Sequence, residues 1–273
     1  MEPQACTRGF ISATPVEYLK EQSEVKYMKK AENIIGFHAV KTVLETRPSD
    51  ILRLMIVQSN RRDKRLQELL QIAKSANVHV DQLPEKALPH ALQDQRHQGV
   101  IAECKALAPW SEGDLLDAVS ATTSPIVLLV LDGVQDPHNL GACLRSANAL
   151  GAMAVIAPKD RAAKITEVVR KVSSGATEQT PFVAVTNLTR TINQLQELGV
   201  WFVGMDGYAD LSLSDVDLKG HVGIVMGGEG QGMRRLTREV CDYLVKIPMQ
   251  GSVESLNVSV ATGVALYEVQ RQR

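Results

Sequence analysis

What the chain lacks narrows the field before any motif is read. Its four cysteines, Cys6, Cys104, Cys143 and Cys241, stand far apart with no Cys-x-x-Cys pair. That argues against a disulfide framework and a cysteine zinc site, and it fits a reducing cytoplasm. The longest strongly apolar run, Ile126 to Leu131, has six residues, far short of the roughly 20 that a membrane-spanning helix needs. The N-terminus lacks the apolar segment of a signal peptide. Neither charge sign dominates: 30 Lys plus Arg face 31 Asp plus Glu, for a net charge of -1. A histone-like or tail-driven polyanion binder is thereby excluded. Aromatic residues make up only 4%, which argues against a wide aromatic platform for stacked bases.

What is present suffices for a large core. Of 273 residues, 44% are hydrophobic and 22% charged, the balance of a folded globular chain long enough for two domains. Residues 1–32 mix charges with Pro3, Gly9 and Pro15 and read as a flexible extension. Met28, followed by Lys29 and Lys30, reads as a natural start. Deleting residues 1–27 is therefore expected to leave folding and activity intact, and loss of either would contradict this reading.

Beyond the extension, helix-like and strand-like patterns alternate. Residues 33–105 read as a compact α/β unit, and 106–124, with Pro109, Gly113, Ser120, Thr122, Thr123 and Ser124 and one short helix pattern near Leu115 to Val119, as a linker. Residues 125–273 read as a second α/β domain, whose unalternating apolar strands between helices predict a parallel sheet covered on both faces. In such sheets ligands bind beyond the C-terminal strand ends.

Three polar, glycine-bearing segments each follow a strand in that half. The first runs Asp132-Gly133-Val134-Gln135-Asp136-Pro137-His138-Asn139-Leu140-Gly141 and on to Arg145. Here Asn139 is placed to cap a helix, with Arg145, Gly141 and Asn148 opposite its apolar stripe. The second, Met226-Gly227-Gly228-Glu229-Gly230-Gln231-Gly232, permits close backbone approach to a ligand, but has neither P-loop nor dinucleotide-binding spacing. The third, Ile247-Pro248-Met249 through Ser255-Leu256-Asn257-Val258-Ser259, ends where Ser255 or Asn257 can cap the last helix. Three such turns at successive strand ends exceed what packing needs and point to one shared site.

Asn139-x-Gly141-x-x-x-Arg145, Gly227-x-Glu229-x-x-Gly232, and Ile247-Pro248-Met249 followed by Ser255-Leu256-Asn257-x-Ser259 resemble, in order and spacing, the three motifs of the SpoU branch of the SPOUT RNA methyltransferases. The likeness spans residues 33–273. Within that branch the chain is most similar to members that 2′-O-methylate a guanosine of 23S ribosomal RNA.

The resemblance implies a C-terminal α/β domain with a parallel sheet and a deep trefoil knot, dimerising through that domain, plus a small N-terminal α/β RNA-binding domain. It implies S-adenosylmethionine as methyl donor, lying against backbone near Gly227, Ile247 and Leu256, with 23S rRNA and a second copy of the chain as partners. No metal and no membrane partner is expected. It maps catalytic roles onto Asn139, Arg145, Glu229, Ser255 and Asn257. Glu229 has two readings, bracing the glycine-rich loop or the dimer partner, or touching substrate; Ser255 and Asn257 either position the hydroxyl or brace Arg145. A guanidinium is effectively never deprotonated, so Arg145 is read as holding the hydroxyl and a neighbouring phosphate, not as a literal base. Two basic groups are candidate RNA contacts: Arg61, Arg62, Lys64 and Arg65, and Arg145, Lys159, Arg161, Lys164, Arg170 and Lys171. A tRNA 2′-O-methyltransferase of the same branch, and a non-catalytic RNA-binding ribosome-assembly factor, are the alternatives.

Overall fold

The computed structural model describes residues 31–57, 64–93, 97–105 and 109–273. The extension up to residue 30, Met28 included, and Arg61 and Arg62 of the first basic group lie outside the described residues.

The smaller unit consists of β1 (Ala31–Ile35), α1 (Phe37–Thr46), β2 (Ile51–Val57), α2 (Lys64–Ser75), β3 (Val80–Leu83), α3 (His90–Gln93) and β4 (Val100–Lys105). Its sheet runs β1-β4-β2-β3, with β4 antiparallel to β1 and β2, and β3 parallel to β2. One face packs Ile34, Leu54, Ile56, Val100 and Ala102 against Val40, Val43, Leu44, Leu69 and Ala73 of α1 and α2. β1 begins inside the stretch read as extension. Only Ile34 of its five residues is buried, so an edge strand of this kind carries almost no periodic apolar signal.

The larger unit adds α4 (Glu112–Ser120), β5 (Val127–Asp132), α5 (Pro137–Ala149), β6 (Ala154–Pro158), α6 (Glu167–Ser173), β7 (Phe182–Val185), α7 (Leu188–Glu197), β8 (Trp201–Met205), β9 (Leu211–Ser212), β10 (Val222–Gly227), α8 (Arg235–Val240), β11 (Tyr243–Lys246) and α9 (Val258–Gln272). The sheet order is β7-β6-β5-β10-β8-β11-β9, and every pair is parallel. Every residue of β5 is buried. Leu129 and Leu131 join α5, α6 and α9 on one face, while Leu128 and Val130 join α4 and α7 on the other. Cβ atoms alternate across a strand, so a strand covered on both sides has no polar position to spare.

Within the segment expected as a linker, the helix pattern near Leu115 to Val119 is a longer helix, Glu112–Ser120. Ser111 and Asp114 form a capping box that starts α4, and Leu115, Ala118 and Val119 are buried, with Leu115 and Val119 in the core shared with β5 and α7. The helix belongs to the larger core despite its loop-like flanks.

Burial pushes the Cys104 and Cys241 thiols up to about 12 and the Cys143 thiol to about 11, the last opposed by a hydrogen bond with Thr262. None of these three supplies a thiolate near neutral pH, so they are unsuited to nucleophilic chemistry. Among the described residues no helix is long and apolar enough to cross a membrane.

Candidate active site

Sheet order reverses where β5 gives way to β6 on one side and to β10 on the other. The paired last residues of these two strands are Asp132 and Gly227, so the first and second polar segments leave the sheet side by side. This is the crevice position at which parallel α/β sheets hold ligands.

The helix after β5 starts earlier than its sequence suggested. Asp136, not Asn139, is the N-cap, accepting from the His138 N–H at 2.9 Å with Pro137 in the first turn. Proline at that position costs no intrahelical bond and presets φ. Asn139 is thereby freed from capping and sits inside α5, 8% exposed. Its Nδ2 donates to Glu229 Oε1 at 2.7 Å. Asn257, which does cap α9, donates from Nδ2 to the same Glu229 oxygen at 3.1 Å and to Asn139 Oδ1 at 3.0 Å. One residue from each segment thus meets the other two.

Ser259 fixes the orientation of Asn257. Its N–H and its hydroxyl donate to Asn257 Oδ1 at 2.9 and 2.6 Å, which turns the amide NH₂ toward Asn139 and Glu229. Sequence reading gave Ser259 no role, although its place two residues after an N-cap was the available signal. Asp132 was missed as well. Its side chain is fully buried, accepts from the Arg234 N–H at 2.8 Å and pairs with Arg234 Nε at 3.1 Å. The acidic end of an otherwise apolar strand therefore anchors the far side of the glycine-rich loop.

That loop is closed by reciprocal bonds, Gly228 N–H to Gly232 O at 3.1 Å and Gly232 N–H to Gly228 O at 3.0 Å. A Cβ on Gly227 would lie 2.2 Å from the Gly232 carbonyl carbon, and one on Gly228 would lie 2.5 Å from Gly133 O. Backbone passes too close here for any side chain.

Arg145 and Ser255 are exposed, and their side chains form no hydrogen bond or ion pair among the described residues. Neither Ser255 nor Asn257 is bonded to Arg145, so the network joins Asn139, Glu229 and Asn257 and leaves Arg145 and Ser255 outside it. The helix face of Arg145 is not fully solvated. A Cβ on Gly141 would stand 2.7 Å from Val172 Cβ, and Asn148 donates to Gln179 Oε1 at 3.2 Å and Thr180 Oγ1 at 3.0 Å. Lys159, Arg161, Lys164 and Lys171 are exposed. Arg170, counted with them from sequence, is instead held by Glu178 at 2.6 Å and Glu32 at 2.8 Å.

From Pro248 to Leu256 the chain makes no backbone–backbone hydrogen bond among the described residues. Half-buried Ile247 and Leu256 flank it. Apolar side chains beside open amide and carbonyl groups, next to a loop without side chains at Gly227 and Gly228, fit the adenosyl portion of S-adenosylmethionine. No group of three or more His, Cys, Asp or Glu is arranged to hold a metal among the described residues.

The SpoU rRNA Methylase family matches residues 126–267, and the family described as RNA 2′-O ribose methyltransferase substrate binding matches 33–110. The chain is 54% identical over 246 residues to the 23S rRNA (guanosine-2′-O-)-methyltransferase RlmB of Coxiella burnetii, covering 90% of this chain and 98% of that protein. It is 50% identical to the protein of the same name from Shewanella oneidensis, covering 90% and 99%. Its fold is similar to that of the SpoU methyltransferase AviRb from Streptomyces viridochromogenes in complex with the cofactor AdoMet. There the TM-score is 0.68 and the identity 25%, over 89% of this chain and 90% of the other.

Proposed function

The chain belongs to the SpoU rRNA methylase family, and on that premise we propose that it 2′-O-methylates the ribose of a guanosine in 23S rRNA, with S-adenosylmethionine as methyl donor. The observation that carries this reading is the meeting of Asn139, Glu229 and Asn257 at the switch point of the sheet.

When bound, S-adenosylmethionine supplies an electrophilic methyl group on a sulfonium. The protein's task is to align a ribose oxygen with that carbon and to accommodate the departing proton, and positioning alone can lower such a barrier by several kcal/mol. Gly227, Ile247 and Leu256 would hold the donor. Glu229 braces the loop through Asn139 and Asn257, which the network supports over direct contact with substrate. Arg145, free of protein partners, is left to take the RNA: its fork fits a phosphate and a developing alkoxide together, while solvent or that phosphate accepts the proton. Ser255, equally unengaged, is assigned to the hydroxyl. Lys159, Arg161, Lys164 and Lys171 extend the phosphate-binding surface.

The reading includes a cytoplasmic protein, a knotted C-terminal domain and a homodimer. The return of residues 248–257 from β11, one strand in from the β9 edge, to the Asn139–Glu229 cluster supports the knotted path. Val260, Val264 and Tyr267 of α9 are 51%, 40% and 59% exposed and lie at helical spacing on one face, which supports a second copy packing there. Val264→Glu is expected to convert dimer to monomer in analytical ultracentrifugation, since a carboxylate buried in an apolar interface lacks a partner; unchanged sedimentation would reject that face.

The function itself is tested by mapping 2′-O-methylribose in rRNA and tRNA from a deletion strain. Loss of one methylguanosine in 23S rRNA is expected, whereas loss from tRNA would favour the tRNA enzyme. Calorimetry with S-adenosylmethionine separates catalysis from a non-catalytic assembly role, which predicts no binding.

A further inference from the structure

Outside the site, the most heavily buried Arg and Glu among the described residues join the two units. Arg47, at the C-terminus of α1, is 6% exposed, and Glu178, in a single 3-10 turn at Ala176–Glu178, is 7% exposed. Arg47 Nη2 donates to Glu178 Oε2. Arg170 Nη1 donates to the other Glu178 oxygen at 2.6 Å, and Arg170 Nη2 to Glu32 of β1 at 2.8 Å. Charges therefore alternate across the junction, two from each unit.

Packing around the cluster is equally close. Gly175 has φ +93°, and a Cβ there would stand 3.0 Å from Thr42 Oγ1 and 3.5 Å from Ala39 Cα of α1. Beyond Glu178, the next two residues, Gln179 and Thr180, accept from Asn148 of α5. The turn that grips the small unit thus also grips the helix that carries Asn139 and Arg145.

A buried ion pair seldom stabilises more than apolar residues of the same volume would, because desolvation offsets the attraction. What the charged version adds is direction, since a guanidinium fork donates to carboxylates in a few orientations only. Arg47 Nε finds no hydrogen-bond partner and Nη1 has only Asp50 at 3.9 Å. Two of its three guanidinium nitrogens are thus buried without a hydrogen bond.

We propose that Arg47 is a positioning residue, which with Glu178, Arg170 and Glu32 locks the N-terminal unit in one orientation on the helix bearing Arg145, so that an RNA held by both units presents its ribose to the site. The proposal rests on the function given above. Two surfaces that engage one ligand bind far more tightly than either alone only while their geometry allows both to engage.

The test is Arg47→Met in the full chain. Its KM for a 23S rRNA fragment should rise at least about tenfold, with kcat at saturating RNA and the Kd for S-adenosylmethionine within about threefold of wild type. Arg47→Lys, which keeps charge but not the fork, should fall between. Small-angle X-ray scattering should show a broader distribution of interatomic distances for Arg47→Met. An unchanged KM and scattering profile would overturn the proposal, and so would a parallel fall in kcat and donor affinity, the sign of a merely structural role. If Arg47→Met does not fold, Glu178→Gln is judged by the same criteria. Should the wild-type chain methylate no RNA, the functional reading fails, and scattering still decides whether the lock exists.

Discussion

Arg145→Lys is expected to lower methylation of RNA by about 10²- to 10³-fold, the usual effect of removing one preorganised donor from a developing oxyanion, while S-adenosylmethionine binds as before. The expectation follows from where Arg145 stands. It is exposed on α5 and its side chain forms no hydrogen bond or ion pair among the described residues, so its replacement removes nothing that folds the protein. Thermal stability should therefore stay within about half a kcal/mol of wild type, as for a surface position away from any cap or network. Lys retains the positive charge and much of the reach but presents one ammonium in place of a planar fork. Attraction to RNA at a distance survives; simultaneous hold on a phosphate and a ribose oxygen does not. Single-turnover rates at saturating RNA, measured beside calorimetry with S-adenosylmethionine, separate the two effects. Turnover close to wild type would remove Arg145 from the reaction.

Much of this architecture could be read from residue order, and the parts that could not fail for identifiable reasons. β5, Val127–Asp132, falls on the apolar run Ile126 to Leu131, and the strands of the parallel sheet stand out because burial on both faces leaves them continuously apolar. The three polar turns were legible as extra, since no core requires an Asn, a Glu and a second Asn at strand ends. That they share one site was legible too, but which side chains meet there was not, because the partners lie 90 and 118 positions apart. The role of Asn139 was misread for a local reason. Both Asp136 and Asn139 are good caps, and only Pro137, which favours the first helical turn, decides between them. α4 showed only as a short helix pattern near Leu115 to Val119, because Pro109 before its capping box and Gly113 within it read as loop. The Arg47–Glu178 contact spans 131 positions between two separately packed units, and the sequence shows only a charged residue at each end. Arg170 illustrates the same limit from the other side: it read as one cation of a basic run, but Glu178 and Glu32 hold it, leaving Arg145, Lys159, Arg161, Lys164 and Lys171 as the exposed members.

Gly227→Ala is expected to cost the donor site 10- to 100-fold in affinity. The added methyl would lie 2.2 Å from the Gly232 carbonyl carbon and 2.3 Å from the Met233 nitrogen, distances that no side-chain rotation relieves, because both obstacles are backbone. Loop 228–232 must move instead. Its movement is opposed from two directions: the Gly228–Gly232 bonds close it on itself, and buried Asp132 holds the Arg234 N–H just beyond it. Overpacking of this sort costs about 1–3 kcal/mol, which at 1.4 kcal/mol per tenfold corresponds to the loss stated. The strain falls where the loop carries Glu229, so Asn139 and Asn257 lose their common acceptor together. Both polar side chains then lack the partner that aligned the first and third segments, and turnover should fall further than donor affinity does. Gly207→Ala is the matched control, since a Cβ there meets nothing within 4 Å. Calorimetry with S-adenosylmethionine on both variants, with Tm measured alongside, decides the matter. Donor affinity within twofold of wild type in a Gly227→Ala protein of unchanged Tm would mean that the loop does not shape the donor site.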